Sequence, residues 1–375
     1  MKSSISTRSA ICRDLLKRNS WDLFLTTFTD THSTGHNFWH LSEATNHPLY
    51  PYKGKKGFDP LLESFQNVDR AIGEMLAEVP ENTYILCYAV HGMGNNVTDL
   101  YSMAFLPELM YRYNFPDKVG IAPGKLGFPS PPMITKPLGK TWAGVVWRKK
   151  YEPNPIKRFF RQWMPSKYLK SEPQSGWMSP YELDRDSDLL SRMPAQWCSS
   201  LWPQMKAFAI PSFSDGNIRI NLQGRERDGI VPPSEYEALC DELTELISGL
   251  KNARTGELLV KDVIRTRRSA AEKDCSALPD ADLIVKWQEE HPADVVDSPQ
   301  LGRIGPLPYY RTGSHRSSGF LLAKGPGIVP GSDLHAAHIV DVAPTILNLI
   351  GAPIPEYFDG KPLLEVSAPN TTVAI

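Results

Sequence analysis

Apolar positions along the chain recur with two periods. Residues 6–18 carry Ile11, Leu15 and Leu16 at helical spacing and end in Lys17 and Arg18, which predicts a helix. Residues 58–79 align Leu61, Leu62, Phe65, Val68, Ile72, Met75 and Leu76 on one stripe behind Asp59-Pro60, a cap followed by a first-turn proline. Residues 100–113 and 234–250 read as further helices, the second with Ser234 as N-cap and Gly249 near its end. Residues 338–351 read as a buried helix stopped by Gly351, with His335 and His338 in capping positions. Continuous or alternating apolar runs predict strands at 83–90, 206–211, 216–222, 260–265, 283–287 and 320–323. The first half of 21–40 (Trp21-Asp22-Leu23-Phe24-Leu25-Thr26-Thr27-Phe28) is aromatic and apolar and reads as a buried strand.

Strand, helix and strand over 21–90 make a βαβ unit, which places functional loops at the carboxyl ends of parallel strands. The fold class expected is α/β, with a mostly parallel central sheet flanked by helices. Residues 46–57 read as a surface loop. The regularity fails over 115–202, where prolines are frequent and Trp142, Trp147, Trp163, Trp177, Trp197 and Trp202 are scattered among basic clusters such as Lys157-Arg158. That region is expected to be a cap or insertion with structural tryptophans and solvated charge, set into a core of 1–114 and 203–375.

Composition acts mainly by exclusion. A formal net charge of −1 argues against a binder of nucleic-acid duplexes or a polybasic membrane surface. No apolar run approaches the roughly 20 residues of a membrane span, and the first 19 residues lack the apolar middle of a signal peptide. Cys12, Cys87, Cys198, Cys240 and Cys275 are scattered, odd in number and form no CxxC pair, which suits a reducing, cytoplasmic compartment.

The candidate chemistry follows the strand ends. Asp30, His32, His36 and His40 come directly after the first run, and the three histidines are four apart, on one helical face. Two imidazoles at that spacing can bite one cation; the competing reading is capping and backbone bonding. His91 follows the run at 83–90. His315 lies between Gly313 and Gly319, glycines expected to let the backbone turn sharply. Arg311 and Arg316 beside His315, and Arg225 in the charged loop 224–231, are candidate contacts to an anionic substrate. For Arg225 a turn with internal ion pairs is the favoured alternative.

Three segments, Thr31-His32-Ser33-Thr34-Gly35-His36, Ala89-Val90-His91-Gly92-Met93 and Gly313-Ser314-His315-Arg316-Ser317-Ser318-Gly319, resemble the alkaline phosphatase superfamily in its type I phosphodiesterase / nucleotide pyrophosphatase branch. The close of the chain, Asp341-Val342-Ala343-Pro344-Thr345-Ile346-Leu347 and Phe358-Asp359-Gly360-Lys361-Pro362-Leu363, is similar to that family's ending. The resemblance implies an alkaline-phosphatase-like sandwich and a metal-dependent hydrolase of phosphate esters or anhydrides acting on a small phosphorylated substrate. It implies one or two divalent ions, zinc by donor type, with His32, His36 and His315 holding one. His91 matches the histidine of the second site, where Val90 replaces the family's Asp. The family's first strand and its Thr or Ser nucleophile lie further upstream of the first histidine motif than this chain extends. The chain is therefore expected to correspond to a carboxyl-terminal portion that binds metal but turns over little, and to self-associate through a bared sheet edge. A sulfatase- or phosphomutase-like enzyme and a non-catalytic metal-binding remnant are the alternatives.

Overall fold

The computed structural model describes residues 2–42, 47–49, 58–130, 133, 141–171, 175–272, 278–334 and 337–364. The chain divides into two compact units. One comprises Met1–Thr34, Asp59–Met93 and His315–Ile375; the other comprises Gly35–Phe58 and Gly94–Ser314.

The first unit begins with α1 (Lys2–Arg18), α2 (Asp30–Phe38, whose last turn belongs to the second unit) and α3 (Pro60–Leu76). α3 starts where the sequence predicts. Asp59 accepts from Leu62 N at 3.0 Å and Pro60 occupies the first turn, so two of the helix's orphan donors need no other partner. Ile5, Cys12, Leu61 and Ala71 are buried where α1 meets α3, and Arg13 clasps Glu78 at 2.9 Å on the rim. β1 (Ile85–Ala89) is followed by β2 (Gly92–Asn95), which runs on into the second unit.

The second unit holds α4 (Leu106–Asn114), α5 (Trp142–Arg148), α6 (Pro155–Trp163), α7 (Pro180–Arg185) and α8 (Pro194–Trp197). Then follow β3 (Ala207–Ile210), β4 (Gly216–Ile220), α9 (Tyr236–Ser248), β5 (Lys251–Asn252), β6 (Val260–Arg265) and β7 (Leu283–Trp287). β8 (Val296–Ser298), β9 (Gly302–Ile304) and β10 (Gly313–Arg316) complete it, β10 ending in the first unit. There the chain closes with β11 (Phe320–Lys324) and α10 (Val342–Leu349).

The main sheet of the second unit runs β3-β4-β7-β6, antiparallel at every step. Its buried faces (Ala207, Ile218, Ile220, Leu283, Val285) pack with Leu239, Leu243 and Ile247 of α9 and Leu106 and Leu109 of α4 in one core. Asp282, fully buried beside β7, is the polar hub. It accepts from Arg225 at 2.7 and 2.6 Å, from Tyr236 Oη at 2.8 Å and from Ile220 N at 2.7 Å. Within 115–202 the tryptophans are largely structural as expected. Trp142, Trp147 and Trp197 are buried, and each indole N–H donates to a carbonyl, of Pro308, Leu169 and Ser191 respectively. Trp163 is the exception.

The mixed α/β class holds, but a central parallel sheet is not seen among the described residues. β1 pairs with β11 antiparallel, from Ile85↔Lys324 to Ala89↔Phe320. Residues 21–28 do not form the expected strand: they have no regular structure, and Trp21, Leu23 and Leu25 are exposed. An apolar run becomes a strand only with a ladder partner, and no described segment pairs with it. Ser234 does not cap α9; it lies in a 3-10 turn, Pro233–Glu235, ahead of the helix. α10 is only partly buried, through Pro344 and Thr345, while His338 caps the turn before it in a reciprocal box with Asp341. Gly351, at φ +70°, ends it as expected. Asp341 Oδ1 and Thr345 Oγ1 accept from Lys361 N and Leu363 N, each at 2.9 Å, which ties the closing segment to this helix. His335, Cys275 and most of the loop 46–57 lie outside the described residues; within that loop His47 and Leu49 are buried.

Candidate metal centre

α2 is short, and nine residues make a marginal helix alone, so its neighbours matter. Asp30 sits in its first turn, where a carboxylate complements the helix dipole, and Thr34 Oγ1 donates back to Asp30 O at 2.7 Å. At the other end Thr312 acts as a clamp. Its N–H donates to His36 O at 2.9 Å, its hydroxyl donates to Asn37 O at 3.2 Å, and the Thr312 Oγ1 lies 3.0 Å from His40 Nδ1. Trp39 Nε1 donates to Asn95 Oδ1 at 3.0 Å. The backbone of β10 comes close: a Cβ at Gly313 would overlap the carbonyl oxygen of Gly35. Gly313 is thus required for close approach and not, as the sequence suggested, for a sharp turn.

This packing aims the imidazoles. His36 is buried, and its Nδ1 lies 2.8 Å from Gly313 O, a partner that can only accept. The bond fixes the Nδ1–H tautomer and leaves Nε2 as a lone-pair donor, the arrangement by which outer partners orient metal-binding histidines. One turn earlier, His32 Nε2 stands 2.9 Å from His315 Nε2. One ligand nitrogen from each of His32, His36 and His315 lies within 4.8 Å of the other two. Nitrogens around a tetrahedral zinc ion at about 2.0–2.1 Å are separated by roughly 3.3 Å, so this donor set fits such an ion with small adjustments.

His91 is beside this set but not in it. Its Nδ1 donates to Gly92 O at 3.0 Å, and its ring stacks on His315 with centroids 3.8 Å apart at 22°. His32 meets it edge-on at 5.3 Å. Val90, next to His91, is exposed and offers no ligand. Asp30 is buried outside the convergent set, and its Oδ2 has no hydrogen-bond partner among the described residues. His40, third in the sequence series, is structural: it is buried against Thr312, and burial pushes it down to about 4.

The three arginines part company. Arg225 forms the buried pair with Asp282 and also donates to Glu226, which is the ion-pair turn favoured from sequence. Arg311 makes a two-point pair with the buried Asp99, at 2.7 and 2.9 Å, and lies over Phe213 and Tyr310. Arg316, next to His315, donates to His315 O at 3.0 Å. Sequence reading missed the Gly313 carbonyl, the Thr312 clamp and the Gly35–Gly313 contact. The only local signal for them was the Thr-Gly dipeptide that precedes Ser314-His315.

Residues 4–118 match the family model of type I phosphodiesterase / nucleotide pyrophosphatase, which bears out the resemblance read from the histidine motifs. The matched segment contains His32, His36 and His91 and ends far upstream of His315. No curated protein and no solved structure gives a significant match.

Proposed function

We infer that the chain is a metal-dependent hydrolase of phosphate diesters or nucleotide pyrophosphates, with a divalent cation, zinc by donor type, held by His32, His36 and His315. The observation that carries this reading is the convergence of those three imidazoles, one of them from a segment 279 positions beyond His36 and outside the matched region. Residues 1–114 and 203–375 serve as the hydrolase scaffold in this reading and 115–202 as its cap.

A cation bound there supplies the positive charge that polarises a phosphoryl oxygen and offsets charge developing on it. The chain's own residues do the rest. His36, held in one tautomer by Gly313 O, presents Nε2 without having to reorganise. His91, packed on the His315 ring, keeps that ring in place. Arg316, which adjoins His315, is the candidate contact to a phosphate oxygen. The exposed Val90 favours a second reading, in which the chain binds one ion and lacks turnover.

Elemental analysis of the purified protein tests both readings together with hydrolysis of a nitrophenyl phosphodiester. One equivalent of zinc, lost in His36→Ala and kept in His40→Ala, supports the metal site. Turnover abolished by the same His36 change supports the hydrolase. Metal without turnover selects the second reading, and no retained metal removes both.

A further inference from the structure

The helix α6 is docked the wrong way out. Asn154 caps it, accepting from Ile156 N and Lys157 N at 2.9 and 3.1 Å, and Pro155 opens it. Ile156, Phe159, Phe160 and Trp163 then recur at i, i+3, i+4 and i+7, the spacing of a face that normally turns to the core. Here that stripe is exposed, at 67, 58, 60 and 76 % respectively. The helix is held by its polar side. Arg161 is buried, its Nη2 donates to Trp147 O at 2.7 Å, and its guanidinium lies 5.2 Å from the Trp147 ring. The apolar surface continues past the helix through the exposed Met164 and Tyr168, with Lys167 Nζ 5.0 Å over the tyrosine ring.

Charge decides what covers this stripe. Residues 153–170 contain Lys157, Arg158, Arg161, Lys167 and Lys170 and no Asp or Glu. The near-zero net charge of the whole chain conceals this local excess. A protein groove is a poor match, because lysine is depleted from protein interfaces. A symmetric pairing with a second copy would set the same cations against themselves. An anionic lipid surface suits both halves: headgroups take the cations, and the boundary with the acyl chains takes a Phe and Trp stripe flanked by Lys and Arg.

We propose that α6 and residues 164–170 form an interfacial anchor, laid flat on an anionic membrane with Ile156, Phe159, Phe160 and Trp163 inserted at the headgroup boundary. It is distinct from a membrane span, and no helix among the described residues is long and apolar enough to be one.

The test is co-sedimentation of the full chain with phosphatidylcholine vesicles, with and without phosphatidylserine. Binding is expected only with phosphatidylserine and is weakened by salt. Each cation near such a surface contributes about a fivefold change in partition, so Lys157→Gln with Arg158→Gln lowers binding roughly 25-fold. Phe159→Ser with Phe160→Ser abolishes it. Trp163→Phe keeps binding but removes the part of the fluorescence quenched by brominated lipid. Thermal melts check that the variants fold, and the charge variant alters only exposed side chains, so it decides the matter even if the Phe variant unfolds. No binding by the parent chain overturns the proposal, as does binding that these substitutions leave unchanged. A dimer that the Phe159 and Phe160 changes convert to monomer also overturns it and assigns the stripe to a second copy.

Discussion

Replacing Asp282 with Asn should be among the most damaging single-atom changes in the second unit. The carboxylate is 0 % exposed and accepts four hydrogen bonds, two of them from the Arg225 guanidinium. Arg267 Nη1 stands 3.6 Å away, and that side chain is also buried. Asn keeps the shape but removes the charge. It also puts an amide donor against either Arg225 Nη1 and the Tyr236 hydroxyl or Arg225 Nη2 and Ile220 N. Arg225 retains Glu226 at 2.9 Å, so it is not left wholly uncompensated. Removing one partner of a buried pair typically costs about 3–5 kcal/mol, a large share of the roughly 5–15 kcal/mol that holds a domain together. For a unit of this size the loss corresponds to a melting shift of roughly 10 °C. Urea unfolding followed by circular dichroism measures it directly. Because removing both partners of a buried pair costs less than removing one, Arg225→Met should recover part of the loss in an Asp282→Leu background. A loss below about 1 kcal/mol for Asp282→Asn would falsify the account of Asp282 as the hub, and would free Arg225 for the anion contact its sequence context allows.

Two other outcomes follow from the same structure. Burial pushes His40 down to about 4 and, with His40 beside it, His47 down to about 3, both from an ordinary value near 6.5. Between pH 6.5 and about 4 the unfolded chain binds protons that the folded chain refuses, so stability is full at neutral pH and falls as pH drops through 6.5. The slope is about 1.4 kcal/mol per pH unit for each histidine, or roughly 2–4 kcal/mol lost from the pair by pH 5. Unfolding free energies that stay level between pH 7 and 5, or that slope equally in a His40→Gln, His47→Gln variant, contradict this. Separately, Gly313→Ala should push β10 off α2 and break the bond from His36 Nδ1 to the residue 313 carbonyl. Loss of such an orienting partner lowers metal affinity about 10–100-fold; a zinc competition titration giving the parental value at an unchanged melting temperature would rule it out.

Local signals were readable in the sequence where local physics decided the outcome. Asp59-Pro60 started α3 because a cap and a first-turn proline act within one turn. Strands β6 and β7 formed at 260–265 and 283–287 as read. Partnership was less legible. Residues 21–28 have the composition of a buried strand, yet their fate depends on a ladder that the run itself does not encode. The direction in which β1 pairs is settled by β11, more than two hundred residues later. The arginines make the same point: the Arg225–Glu226 pair was readable within the charged loop, but Asp282 and Asp99 lie 57 and 212 positions from Arg225 and Arg311, and those two pairs left no mark near the arginine. The histidines were legible as a helical series, but which of them faced a cation depended on Thr312 and Gly313. Those residues draw His40 into hydrogen bonding and fix His36 through its Nδ1.

The contact between Gly35 and Gly313 has a consequence for anyone scanning this protein by mutation. Gly313 has no side chain with which to touch an ion or a substrate, yet it should score as intolerant as the histidines it adjoins, because a Cβ there would overlap the residue 35 carbonyl. Saturation libraries would therefore flag a silent position as chemistry. Only a paired readout of abundance and metal occupancy would reveal it as a spacer, whose contribution is the room it leaves.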